Sequence, residues 1–407
     1  MPSAGVSQVS VLINMQSYQT VSTPNQLAVV PQRQQTVVDP SKFRTRWVEL
    51  DELRSRVNAW ESLAQNSLTT NVAFEPNFLL PALEHLGSKS VRVLIVEDVQ
   101  VDHQSNLIGL VPIESKSVYR LPFKAAEIWK HDQCYDSTPL LHSQYADQAW
   151  GLICKKLKDE RFCLLSLDTV SGESDVDRVF RATEQEQGIA RFQRDRFERT
   201  AFRPSETVED YVQEHVPKSI CKKNRRLFRR LGELGTVTWE ASDDFSDFDQ
   251  LAQEFLRIEG SGWKGRSGTA LISTASTKAF FQDMIRKSAK VGKVRFLSLM
   301  LDGRPVAMLC DIQSDQYVYC YKTAYDEKFG KFSPGQQIET KNIEYLYRNG
   351  VTLGDSCTLA SNSTINRVWG QKLIFQNLIL SLTPSLARVA VKTLPVIQSV
   401  VHRLRKN

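Results

Sequence analysis

The chain has 407 residues, 52 basic and 46 acidic, of which 41% are apolar and 24% charged. That length and composition fit a globular protein of two or three domains and exclude a fibre, a wholly disordered chain or a small scaffold stapled by disulfides or metal. The net charge of +6 is localised: no acid follows Asp355, while Arg367, Lys372, Arg388, Lys392, Arg403, Arg405 and Lys406 do, whereas a general nucleic-acid binder spreads its charge over a face of the fold.

Seven cysteines never fall in a CxxC spacing and six histidines form no HxxxH pair, so neither structural zinc nor a disulfide framework nor a metal site is expected. Residues 1–40 are rich in Gln, Val, Ser and Pro, carry only Arg33 and Asp39 as charges, and read as a disordered tail. No apolar run approaches the ~18 residues of a membrane span and no signal-peptide pattern opens the chain, which predicts a cytoplasmic protein.

From Ser41 the pattern is regular. Leu53, Val57 and Trp60 recur at helical spacing, and a second helix runs through Pro81. The strands VRVLIVED and NLIGLVPIE follow, then the helix DQAWGLICKKL and the strand FCLLSLD. A comparable order returns later: VRFLSLML and RPVAMLCDI flank Asp302-Gly303, a two-residue hairpin signal, and QYVYCYKTAYD completes a three-strand meander. Next come a helix from Ser333 that Gly350 should stop, the strand VTLGD, a short helix STINRVWG and the strand KLIFQNLILSL. Two copies of one α+β unit are expected, with mixed, mostly antiparallel sheets flanked by helices: residues 41–205 and 206–381, followed by a basic amphipathic helix over 382–407.

Ser333-Pro334-Gly335 reads as an N-cap with proline at the first helical position, and the uncompensated N–H groups of such a helix end attract phosphate. Four segments in order, EGSGWKGRSGTAL (259–271), YKTAYDEKFGKFSPG (321–335), LGDSC (353–357) and INRVWG (365–370), make the chain resemble a GNAT-superfamily acyltransferase. The branch it resembles is the CelD-like one of cellulose and exopolysaccharide biosynthesis, related to the FemAB peptidyltransferases, and the likeness runs from about Trp47 to Ser381.

The resemblance implies an acyl-CoA donor, most simply acetyl-CoA, bound through its pyrophosphate at Gly330, Lys331, Ser333, Gly335 and Gln336, although the family's usual pair of closely spaced glycines is replaced by Gly330 and Gly335. It also implies an active C-terminal half and an acceptor that is a sugar, polysaccharide precursor or related metabolite. Transfer requires a base and a group that holds the carbonyl oxygen. Asp355 is the candidate base, and equally fits an Asx-type turn; Lys322 is a candidate for binding acceptor or phosphate, and Tyr325 for protonating the leaving thiolate. Glu259, Trp263 and Lys264 suit a lid over the acceptor, with Trp263 as a stacking platform, and Ser356 stands beside Asp355. Cys357 has no histidine nearby in sequence to activate it, which favours direct transfer over an acyl-enzyme.

The segment PKSICKKNRRLFRRL carries Lys218, Lys222, Lys223, Arg225, Arg226, Arg229 and Arg230 without an acid, either a polyanion-binding face or a solvated helix. The alternatives to an acyl-CoA enzyme are a FemAB-like transferase that takes an aminoacyl group from tRNA through that segment, or a non-catalytic accessory protein of a polysaccharide synthase. The C-terminal helix could tether the protein to the anionic inner face of a membrane, pack on its own domain, or join a second subunit in an oligomer.

Overall fold

The structure, a computed structural model, describes residues 42–99, 106–116, 124–242, 247–358, 364–383 and 386–394. The expected tail over 1–40 and residues 395–407 of the expected C-terminal helix lie outside them. Thirteen strands are described: β1 (Phe43–Val48), β2 (Val91–Asp98), β3 (Asn106–Lys116), β4 (Ala125–Ile128), β5 (Leu140–Leu141), β6 (Leu164–Ser171), β7 (Ala190–Phe202), β8 (Val237–Ala241), β9 (Val294–Leu301), β10 (Arg304–Ser314), β11 (Tyr317–Tyr325), β12 (Leu353–Asp355) and β13 (Gln371–Ser381). They join one sheet in the order β1-β2-β3-β4-β6-β13-β7-β12-β11-β10-β9-β8, with β5 paired to β3.

That order is palindromic in role. Each half begins with an antiparallel meander, β1 to β4 in one and β8 to β11 in the other, and each then makes a parallel pair, β4 with β6 and β11 with β12. A helix spans each crossover, Ala146–Asp159 and Pro334–Arg348, as parallel neighbours require. The two α+β units expected from the repeated order are thus present in one mixed, mostly antiparallel sheet flanked by helices. The last strand of each unit crosses to the other: β13 lies against β6, and β7 against β12, while β7 and β13 pair antiparallel with each other along their whole lengths. KLIFQNLILSL, assigned from sequence to the second unit alone, therefore completes the sheet of the first.

Local chemistry explains the second unit well. Asp302 (φ 49°) and Gly303 (φ 71°) form the two-residue turn joining β9 to β10, as the Asp-Gly pair predicts. Strands β9 to β11 are buried almost throughout because helices Phe248–Ser261, Ala275–Lys290 and Pro334–Arg348 all pack on them, so a continuous apolar run replaces alternation. Gly350 adopts φ 62° just beyond helix Pro334–Arg348 and ends it. Residues 386–394 are helical, and their Ala387 and Val391 join an apolar cluster with Leu164, Phe192 and Ile379 of the first unit. No helix among the described residues is long and apolar enough to cross a membrane.

Candidate active site

The parallel pair β11–β12 is short. Tyr317, Val318 and Tyr319 pair with Leu353, Gly354 and Asp355, after which β11 continues to Tyr325 while the chain after Asp355 turns away, Cys357 adopting φ 52°. The strands therefore part beyond Tyr319, and a cleft of ≈ 580 Å³ opens between the free edge of β11, the turn at 356–358 and the start of helix Pro334–Arg348. Lys322, Tyr325, Gly335, Glu339, Ser356 and Trp263 all line it, as does Tyr135, contributed by the other unit.

Glu339 is the carboxylate of this cleft. It is 4% exposed, accepts a hydrogen bond from Thr323 Oγ1, and has Cys320 Sγ at 3.6 Å. Burial pushes its carboxyl up to about 7, the value at which one group both accepts and releases a proton near neutrality. Opposite it, burial lowers the Lys322 ammonium below its ordinary range, and Nζ donates to Tyr135 Oη at 3.2 Å. Ser356 and Tyr321 line the same cleft, and among the described residues their buried hydroxyls have no hydrogen-bond partner; unsatisfied buried hydroxyls in a polar cleft are groups available to a ligand.

Asp355 lies beneath this surface. It is 0% exposed, with Oδ2 2.6 Å from Arg199 Nη1 and Oδ1 accepting the Cys357 N–H at 2.9 Å. The same guanidinium donates to the Tyr135 carbonyl at 2.6 Å and lies 4.0 Å over the Phe375 ring. Asp355 thus serves the framework: Oδ2 pairs with Arg199 of β7, Oδ1 takes the Cys357 N–H in the Asx-type turn expected here, and the same Arg199 reaches on to the Tyr135 carbonyl.

The remaining sequence candidates divide. Lys322, Tyr325, Trp263, Lys264 and Ser356 line the one cleft. Glu259 does not sit in a loop but in the last turns of helix Phe248–Ser261, 3% exposed, with Lys264 Nζ at 3.1 Å and the Leu271 N–H at 2.8 Å, so it anchors the segment rather than facing an acceptor. Trp263, 55% exposed, opens a single helical turn to Arg266, held by Glu327, which accepts the Trp263 N–H at 2.7 Å and pairs with Arg266 at 2.8 Å. Of the expected pyrophosphate group, Gly335 lines the cleft; Gly330 and Lys331 occupy the exposed face of the 327–332 turn, and Gln336 Nε2 donates to the Thr364 carbonyl at 3.2 Å. Ser333 is left-handed (φ 52°) and its hydroxyl does not cap the helix, contrary to the N-cap expectation. The first-turn N–H groups of this helix therefore have no side-chain acceptor at the N-cap.

Glu339 and Tyr135 escaped the sequence reading. Glu339 carried a signal, since an acid one turn into the helix after the phosphate-like turn must point back toward that turn's strand; Tyr135 carried none, being brought in by the strand exchange. A second hollow of ≈ 390 Å³, at the divergence of β4 and β6, is lined by Glu127, Lys130, Asp168 and Arg199 and meets the first at Tyr135, Cys357 and Thr358.

Residues 218–360 match the family model described as an acetyltransferase (GNAT) domain, a span from the basic helix to just past β12 that contains Lys322 and Glu339. Over that stretch the chain is similar to a GNAT acetyltransferase domain. FemX is similar in structure, at a TM-score of 0.54 and 11% identity over 84% of this chain and 97% of that one. A conserved protein of unknown function from Bacteroides thetaiotaomicron VPI-5482 is similar at a TM-score of 0.51 and 10% identity, over 84% of this chain and 100% of that one. At these identities the likeness is one of fold. No curated protein matches the chain by sequence.

Proposed function

We propose that the cleft transfers an acyl group from an acyl-CoA, in the simplest case acetyl-CoA, directly to an amine or hydroxyl acceptor, with Glu339 as general base. The observation that carries this reading is a buried carboxyl titrating near 7 at the point where two parallel strands part. The free edge of β11 offers backbone groups to an extended amide-bearing arm, in the manner of strand addition. Gly335, Ser356 and Tyr321 suit the donor's polar groups, Glu339 removes the acceptor's proton, and Lys322 stands to hold the carbonyl oxygen as charge develops. Tyr325, at the mouth, is placed to return a proton to the thiolate.

Burial raises the Cys357 thiol well above its ordinary range, which argues against an acyl-enzyme and for transfer within a ternary complex. The acceptor approaches from the adjoining hollow, and Trp263, on the wall of the first cleft, offers a face for a sugar. A saccharide or polysaccharide precursor, handled in the cytoplasm or beside the inner face of a membrane, is the acceptor class this reading favours, in line with the exopolysaccharide resemblance. Glu339→Gln should lower kcat by roughly 100-fold or more while donor affinity stays within a factor of two; an undiminished kcat would remove Glu339 from the chemistry.

One observation favours a second reading, an aminoacyl-tRNA donor. The seven cations of helix Lys218–Gly232 are all exposed, and none takes part in an ion pair among the described residues. That helix packs beside the 327–332 turn at the cleft mouth. Charge reversal at Lys222 and Arg226 should abolish tRNA binding under this reading and leave acetyl-CoA turnover untouched under the first.

A further inference from the structure

A second carboxyl lies directly beneath Glu339. Asp311 occupies the bulge in β10 where pairing with β11 steps from Cys310 to Ile312, and is 1% exposed. It faces helix Pro334–Arg348 one turn beyond Glu339, where Asn342 Nδ2 donates to Asp311 Oδ2 at 3.1 Å. Among the described residues, each member of this pair keeps one buried oxygen without a hydrogen-bond partner, Asp311 Oδ1 and Asn342 Oδ1. Turning the amide over exchanges its nitrogen and oxygen, but an ionised carboxylate still has no donor to offer the amide oxygen.

A single proton removes the conflict. A carboxylate and an amide can join through one N–H···O bond, whereas a carboxylic acid and an amide can join through two parallel bonds, the acid O–H donating to the amide oxygen. We propose that Asp311 is carried as the neutral acid, bonded to Asn342, and acts as a positioning residue that leaves the one negative charge of this buried carboxyl pair on Glu339, at the cleft. This rests on Glu339 being the base.

The groups around Asp311 fit that role. Cys320 of β11 lies between the two carboxyls, Glu339 faces it from the helix, and Cys310 precedes it on β10. Arg295 of β9 acts on it electrostatically but is hydrogen-bonded to Gln313. Burial, with Glu339 as the nearest like charge, pushes Asp311 up to about 7. An ionised Asp311 would drive the Glu339 proton affinity upward and leave the base protonated at neutral pH; a neutral one does not.

The test uses the intact chain. The infrared difference spectrum between wild type and Asp311→Asn at neutral pH should show the loss of one protonated-carboxyl band; loss of a carboxylate band instead would overturn the proposal. Asp311→Asn preserves a two-bond pair with Asn342, so the acidic limb of the kcat profile should stay within about 0.3 pH unit. A downward move of about one unit or more would mean that Asp311 had carried charge, and the proposal fails. Asn342→Asp places a second acid in the pair, which holds one charge between them, and should move that limb up by about one unit with KM little changed. The double exchange Asp311→Asn with Asn342→Asp rebuilds an acid–amide pair and should restore the wild-type limb; failure to restore it would contradict the pairing. If Glu339→Gln kept full turnover, the base assignment would fall, while the infrared band would still decide the protonation of Asp311.

Discussion

Asp355→Ala separates structure from chemistry most sharply. The variant removes the partner of a guanidinium whose side chain is 5% exposed, and strands the Cys357 N–H that Asp355 also accepts. Breaking a buried pair from one side costs about 3–5 kcal/mol because the remaining charge stays desolvated, a large share of the roughly 5–15 kcal/mol that holds a typical domain. Urea unfolding followed by tryptophan fluorescence should therefore show a clearly lower midpoint at an unchanged slope. Replacing both partners, Arg199→Met with Asp355→Leu, should recover most of the loss, since apolar substitutes of similar volume are often neutral. A single variant with the wild-type midpoint and turnover reduced by roughly 100-fold or more would refute this reasoning and return Asp355 to the reaction as its base.

Three further outcomes follow from the same geometry. Glu339 holds its proton more tightly when folded, its carboxyl rising from 4.5 to about 7, so the folded state binds more protons across that window and stability should fall as pH rises from 4.5 to about 7; Glu339→Gln should lessen that slope in pH-dependent unfolding, Asp311 and other buried carboxyls supplying the rest, and an unchanged slope would mean that Glu339 does not contribute. A Cβ at Gly335 would stand 3.3 Å from the Tyr325 ring, so Gly335→Leu should weaken donor binding at least tenfold by calorimetry without lowering the unfolding midpoint greatly; unaltered affinity would exclude this helix end from the donor site. Glu327→Ala frees both the Trp263 N–H and Arg266, and should raise KM and speed proteolysis within 262–268 while kcat changes little; an unchanged cleavage rate would show that the segment is held by other contacts.

What the sequence made legible were the parts governed by local chemistry. The Asp302-Gly303 turn, the meander around it and the helix from Pro334 are set by turn residues and periodicity within a few positions, and the cleft lies at their junction. The strand exchange was not legible, because β7 and β13 meet across a long sequence separation and either strand satisfies the same alternation beside either neighbour. With it went Arg199, which reads as one of several charges along an exposed-looking strand until the pairing with Asp355 places it in the interior. Asp355 was legible in part: the Asx-type turn expected as the alternative to a base is present in its bond to the Cys357 N–H, while its pairing with Arg199 depends on the strand exchange. Ser333 failed as a cap because its left-handed backbone turns the hydroxyl away from the helix end.

The central claim is that the cleft between β11 and β12 receives an acyl-CoA donor. Calorimetric titration of the full chain with acetyl-CoA, and with desulfo-CoA as a control lacking a transferable acyl group, tests it most directly. Micromolar binding of both is expected, lost in Gly335→Leu and retained in Glu339→Gln. Absence of binding at millimolar donor, in a protein shown to be folded, would contradict it and turn the search to an aminoacyl-tRNA donor.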